Sequence, residues 1–448
     1  MDLAPEVNGF IHESKLGDLP DSVAAMGRRC LLDLLGVGAA GTRTPLGGII
    51  SDHAAGHFGV GSHAAPMLFD GRLVSPAGAA LAGGMTIDSV DAHDGHRLTK
   101  GHAGCGVLPG LLAFTAAEDT DDAGEFLTAL VAGYEIAIRA GIALHRTACD
   151  YHTSGAWVAV AVAALGSRTL GLDTRRTAEA VGIAEYHGPR SQMMRCIDHP
   201  TMLKDGSGWG AMAGVSAAYL AAEGFTGAPA LTVAAPEVAD LWADLGSRWF
   251  ITEQYFKPHP VCRWAQPAVE AALELCRRYS IGVADIERIE VATFHEAARL
   301  VMRHPANTEQ AQYSLPYPVA AALVRGRLGA EEIAADALHD PAIAKVADLV
   351  EISEDAAHNE AFPAERFARV ALVLADGSRV ESPDTEARGD HHIPLSDAQI
   401  HQKFHELAVP VLGEQRATAI DTSVARLGRD GGLAELLDLI LMPAEGSR

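Results

Sequence analysis

The chain has 448 residues, 48% of them apolar and 6% aromatic, and carries a formal net charge of −23. That length is too great for one ordinary core and points to two domains, or to one large domain with an insertion. A surface this acidic excludes nucleic acid and anionic membranes as partners, and an anionic ligand would need a locally basic pocket, which makes the positions of Lys and Arg informative.

The N-terminus, MDLAPEVNGFIHESK, has neither the basic start nor the apolar core of a signal peptide. Asp21 is placed to cap a helix through Val23, Met26, Cys30 and Leu34, closed by Gly36, Gly38 and Gly41. An Ala- and Gly-rich segment from Ser75 ends in a polar cluster near Asp91. Apolar spacing then predicts helices over Val107–Ala117, Ala123–His145, Val158–Leu170 and Arg176–Tyr186. Ala211–Ala222 reads as a short buried helix, and no run of 18 apolar residues appears. Beyond Phe256 the pattern changes. Ile286–Thr293 alternates as a strand, and Arg369–Glu381 reads as a hairpin about Asp376-Gly377. Helices are expected near Ala268–Ser280 and Pro318–Arg327. A capping-box pattern at Ser396–Gln399 opens a helical tail. The fold class is therefore mainly α: a large helical domain (1–252 with 389–448) and an inserted α+β lid (253–388). The six cysteines are scattered, with no CxxC pair, which argues against a disulfide framework or zinc ribbon and fits a cytoplasmic setting.

Three His and three Asp fall between Asp88 and His102: Asp88, Asp91, His93, Asp94, His96 and His102. The order matches no metal-ligand motif, so an acid/base site, a metal site and a solvated turn all stay open. His152 precedes small and hydroxylated residues at a helix start, where an anion is favoured and an imidazole pKa is lowered; a structural His in a capping turn is the bland alternative. Lys204 lies in a Gly-rich loop and Lys257 in Lys-Pro-His-Pro-Val-Cys-Arg263. On spacing alone both read as surface lysines, and Glu135 with Arg139 as an i,i+4 helix pair.

Taken in order, these segments resemble the MmgE/PrpD family, which includes 2-methylcitrate dehydratase, cis-aconitate decarboxylase and iminodisuccinate epimerase. The matching stretches are Asp91-Ala-His93-Asp94 with His102, Gly133-Tyr-Glu135-Ile-Ala-Ile-Arg139, His152-Thr-Ser-Gly-Ala-Trp157, Lys204, Lys257–Arg263 and Tyr313-Ser-Leu-Pro-Tyr317 onward. The resemblance implies a homodimer needing neither metal nor organic cofactor, with a site between helical body and lid. It carries over Asp91, Asp94, His102, His152, Lys204 and Tyr317 as catalytic residues, and Lys257, Arg263, Gln266 and Arg139 as substrate-binding residues. The chain departs from the family pattern at His93, at Asp88 and Ser207 where many members have His, and at Gln266, which leaves the substrate open. His102 and His152 are the acid/base candidates, with the cations holding carboxylates. The expected activity is that of a lyase, a dehydratase or decarboxylase of a small di- or tricarboxylate. An epimerase is the alternative, followed by a metal-dependent hydrolase using His93, Asp94, His96 and His102, and by a non-catalytic binding protein.

Overall fold

The computed structural model describes residues 3–444. Helix α1 (Asp21–Gly41) is followed by α2 (Pro76–Asp88), α3 (Gly104–Ala117), α4 (Ala123–Thr147), α5 (Gly155–Thr169), α6 (Thr174–His187) and α7 (Ser207–Ala222). Helices α2, α3, α5 and α7 pack on one another, α4 lies against α5 and α3, and α6 lies against α7 and α5. Small residues set this closeness. A Cβ added at Gly84 of α2 would lie 2.5 Å from the Gly208 Cα of α7.

Two details of α1 differ from the sequence expectation. Pro20 occupies the N-cap and Asp21 is the first helical residue, with no side-chain cap bond. Gly36 and Gly38 do not end the helix; it runs on to Gly41, whose added Cβ would meet the Thr86 carbonyl at 2.0 Å. Gly36 and Gly38 permit close approach of the helix Asp397–Leu412 and of α2, so at those two positions the signal of a stop was one of packing. Helix α4, whose apolar run is interrupted by Glu125, Glu135 and Arg139, has 25 residues and is long and apolar enough to span a membrane by length and composition. It is almost wholly buried within the protein, as the central helix of a packed body is.

The second half contains α8 (Gln266–Tyr279), α9 (Pro316–Arg325) and four strands: β1 (Ile286–Thr293), β2 (Val350–Glu354), β3 (Ala368–Leu374) and β4 (Arg379–Glu381). Their order is β2-β1-β3-β4, with β1 parallel to β2 and the other pairs antiparallel. The β3–β4 turn carries Gly377 at φ +82°, the left-handed conformation that Asp-Gly predicted. Helix α8 covers β3 and packs on α9. The tail forms α10 (Asp397–Leu412) and α11 (Glu414–Arg426). Ser396 and Gln399 close a reciprocal capping box at the start of α10, which packs along α1.

Candidate active site

Asp88 ends α2 and Gly104 begins α3. The intervening loop is polar in sequence, yet only Arg97, Leu98 and Lys100 are not buried. This removes the solvated-turn reading. A buried loop must satisfy its polar groups internally or with a ligand, and here Asp91, His93, Asp94 and His102 all lie inside the protein.

Asp91 and Lys257 form the centre. The Lys257 ammonium donates to the Asp91 Oδ1 and, at 3.2 Å, to the Asp91 carbonyl. Burial alone would raise the Asp91 pKa, but Lys257, then Lys204, His102 and His93, hold it well below the usual carboxylate range. The same pairing raises Lys257 against the effect of its own burial. Both lysines are only 1% exposed, so neither is the surface lysine that spacing alone suggested. Lys204 sits at φ +49° just before α7, a left-handed conformation that is costly for a side-chain-bearing residue and recurs at functional sites. Its ammonium donates to the Gln312 Oε1 at 2.6 Å and lies 4.7 Å from the Tyr313 ring centre. Gln312 also accepts the Asp91 N–H at 2.8 Å, tying the two halves of the cluster together.

His102 has a defined tautomer. Its Nδ1 lies 2.6 Å from the Asp94 carbonyl oxygen, which can only accept, so Nδ1 carries the proton. The Nε2 lone pair is left free, 3.9 Å from the Asp91 Oδ1. Burial first, then the neighbouring His93 and Lys257, depress the His102 pKa well below 6.5. The imidazole is therefore neutral at physiological pH and poised as a base. Its backbone N–H donates to the Ser154 Oγ at 2.9 Å, and Ser154 donates to the Asp205 Oδ2 at 2.5 Å. Burial, then the nearby Asp88 carboxylate, push Asp205 up to about 7. His93 meets His102 edge-on at 4.2 Å between ring centres, and its Nε2 lies 3.4 Å from the Asp88 Oδ1.

The remaining sequence candidates fall elsewhere or act indirectly. Asp94 orients His102 through its carbonyl. Its carboxylate turns away and accepts from the Tyr134 hydroxyl at 2.8 Å, while burial and Asp33 push it up to about 7. His152 precedes α5 as expected, but its ring lies beside His145, and the charges acting on it are those of Arg190 and Asp150. The Tyr317 hydroxyl donates to the Glu332 carbonyl at 2.8 Å. Tyr313, four residues earlier in the turn before α9, stands over Lys204 instead, and its position in the same Tyr-Ser-Leu-Pro-Tyr segment was the available signal. Arg139 is bound to Glu135 at 2.7 Å and Asp244 at 2.8 Å, so it ties α4 to the segment near Arg248. Arg263 donates to the Ala387 and Arg388 carbonyls, each at 2.8 Å, and Gln266 to those of His259 and Val261, each at 2.9 Å. These bonds fix the loop that presents Lys257. Gln312 and Ser154 were not singled out by sequence, since isolated Gln and Ser carry no pattern.

Asp91, His93 and His102 offer three ligand atoms within 4.8 Å of one another. The donor set nevertheless suits a resident cation poorly. The Asp91 carboxylate already carries the Lys257 ammonium, and a divalent ion there would face both lysine charges in a low-dielectric site. An anion is favoured at the same place for the same reason.

Residues 6–241 match the MmgE/PrpD N-terminal domain, and residues 259–428 match the MmgE/PrpD C-terminal domain. The chain is 25% identical to the cis-aconitate decarboxylase-like protein oryM of Aspergillus oryzae, over 97% of this chain and 96% of that protein. It is 25% identical to the cis-aconitate decarboxylase of Homo sapiens, over 90% of this chain and 87% of the human protein. Against that of Mus musculus it is 24% identical, over 94% and 89% respectively.

Proposed function

The chain belongs to the MmgE/PrpD family, and from that premise we propose that it is a lyase, a dehydratase or decarboxylase of a small di- or tricarboxylic acid, working by proton transfer next to a carboxylate. The observation that carries this reading is the neutral His102, its Nδ1 held by the Asp94 carbonyl and its Nε2 directed to the Asp91–Lys257 pair. The relatives named as cis-aconitate decarboxylases support the substrate class.

In this mechanism one substrate carboxylate takes the place of Asp91 on Lys257, and a second takes the place of Gln312 on Lys204. The His102 Nε2 removes the proton from the carbon beside the first carboxylate. Charge then spreads onto carboxylate oxygens facing the lysine ammonium groups, where it is stabilised most as it develops. In a dehydratase the β-hydroxyl then leaves as water, taking the C–O bonding pair and the proton that His102 has accepted. In a decarboxylase no proton is abstracted first: carbon dioxide leaves, its bonding pair stays on carbon, and one proton drawn from solvent is delivered there through His102. A base that is neutral in the free protein favours the reading in which abstraction comes first.

The proposal includes residues 253–388 as a lid inserted into the helical body, a homodimeric cytoplasmic protein, and chemistry without metal or organic cofactor. The lid reading is supported by the tail helix α10, which returns to α1.

Proton NMR in heavy water on a panel of small polycarboxylates tests the function. Loss of water or carbon dioxide from one of them, absent in His102→Ala, is the expected result. Inversion of a stereocentre without change in formula would move the assignment to an epimerase. No exchange or turnover on any di- or tricarboxylate would sink it.

A further inference from the structure

A separate cavity of about 180 Å³ opens between α1, α10 and α11. Its floor is apolar, with Leu32, Ile400 and Val424, and its rim carries Arg28, Arg29, Arg429 and His401. We propose that this cavity binds a small oxyanion, a carboxylate or a phosphate.

Three guanidinium groups around one hollow are unexpected in a chain of charge −23. Elsewhere on this surface most arginines are paired with carboxylates. Arg28 is not; its side chain donates only to the Ala24 carbonyl of its own helix, at 3.4 Å. It is also close enough to Arg429 for the two like charges to oppose each other, an effect second only to burial in lowering the Arg28 pKa. No ion pair joins Arg28 or Arg429 to a carboxylate among the described residues. Arg29 does pair with Asp397 and donates to the Leu395 carbonyl at 2.7 Å, but its buried Nε–H has no acceptor. The other acid on the rim, Asp421, is taken up by His401 at 2.8 Å and His405 at 3.0 Å. Arg28 and Arg429 thus line the hollow without an ion-pair partner among the described residues, Asp21 acting on Arg28 only through space, and an anion bridging the two arginines would relieve their repulsion. Guanidinium donors suit planar carboxylate and phosphate oxygens. The small volume limits the ligand to a few heavy atoms, and the apolar floor accommodates a short carbon chain.

The test reads the site directly and does not depend on catalysis. The His401 ring signal in proton–carbon NMR, assigned with His401→Gln, is followed while the full-length protein is titrated with sodium phosphate or sodium succinate. Sodium chloride at matched ionic strength is the control. A saturable shift with either anion, beyond chloride, is expected. Arg28→Met and Arg429→Met should each weaken it about tenfold or more, as loss of a charged hydrogen bond does. Which of the two anions saturates identifies the ligand as phosphate or carboxylate. A shift no larger than with chloride, or one unchanged in both arginine variants, would overturn the assignment.

Discussion

Replacing Lys257 with Met tests whether the buried ion pair is the centre of the site. The side chains of Lys257 and Asp91 are 1% and 4% exposed, so solvent screens their contact little. Removing the ammonium leaves Asp91 in a buried setting whose own effect is to raise its pKa. Breaking a buried pair from one side costs about 3–5 kcal/mol. Lys204 remains nearby and softens the loss, so the lower end, about 3 kcal/mol, is expected. Equilibrium urea unfolding at neutral pH measures it. The double variant Asp91→Asn/Lys257→Met strands no charge and should recover most of the lost stability, while staying inactive because the carboxylate-holding cation is gone. NMR turnover assays on both variants separate stability from chemistry. A Lys257→Met protein as stable as the parent, or a double variant no more stable than the single one, would refute the reasoning that these two groups depend on each other.

His102→Ala should lower turnover by about 10²–10⁴, the usual worth of a general base, with little change in stability. The rate should also report the His102 pKa: because it is depressed, kcat/KM should stay level from pH 8 through 6.5 and fall only in more acid solution. The linked stability runs the same way. Just below pH 6.5 the unfolded chain binds the proton that the folded imidazole refuses, so stability is lost as pH falls through that window, and urea midpoints of His102→Gln should fall less there. Arg139→Met should cost about 3–5 kcal/mol by stranding the buried Glu135, while leaving KM unchanged, as measured by urea unfolding and steady-state kinetics. Prolonged chelation and dialysis should leave activity intact, with loss restored by zinc or iron as the contrary result.

The larger elements were legible because their signals are local. Strand β1 alternates from Ile289 to Thr293, after an irregularity between Ile286 and Arg288, and the α10 capping box needs only Ser396 and Gln399. Strand β2 was missed because Val350–Glu354 alternates weakly and stands at the sheet edge, where one face stays wet. The glycines of α1 misled for a different reason. A glycine that ends a helix, as Gly41 does, and one that admits a neighbouring backbone look alike in sequence, and only the Phe404 Cα, 3.2 Å from a Cβ added at Gly36, tells them apart.

The site divides along the same line. Asp91, His102, Lys204 and Lys257 were singled out because each stands in a short stretch with its own residue pattern, and the fold brings all four together. Which part of a residue acts was not accessible. Asp94 was carried over as a catalytic residue, and what it offers His102 is its carbonyl, which follows from the turn of the loop and not from residue type. Arg139, Arg263 and Gln266 lie in equally patterned stretches, but their donors are consumed by Glu135, by the carbonyls at 387 and 388, and by those at 259 and 261. In the proposed reading patterned polar residues do two jobs, holding the ligand and holding the loops that hold the ligand, and a sequence records both in the same letters. The count of unspent donors separates them: Lys204 makes one hydrogen bond where an ammonium can make three, and Gln266 has spent both amide hydrogens on backbone. By that measure Lys204 is free to meet a substrate carboxylate, and Gln266 is not.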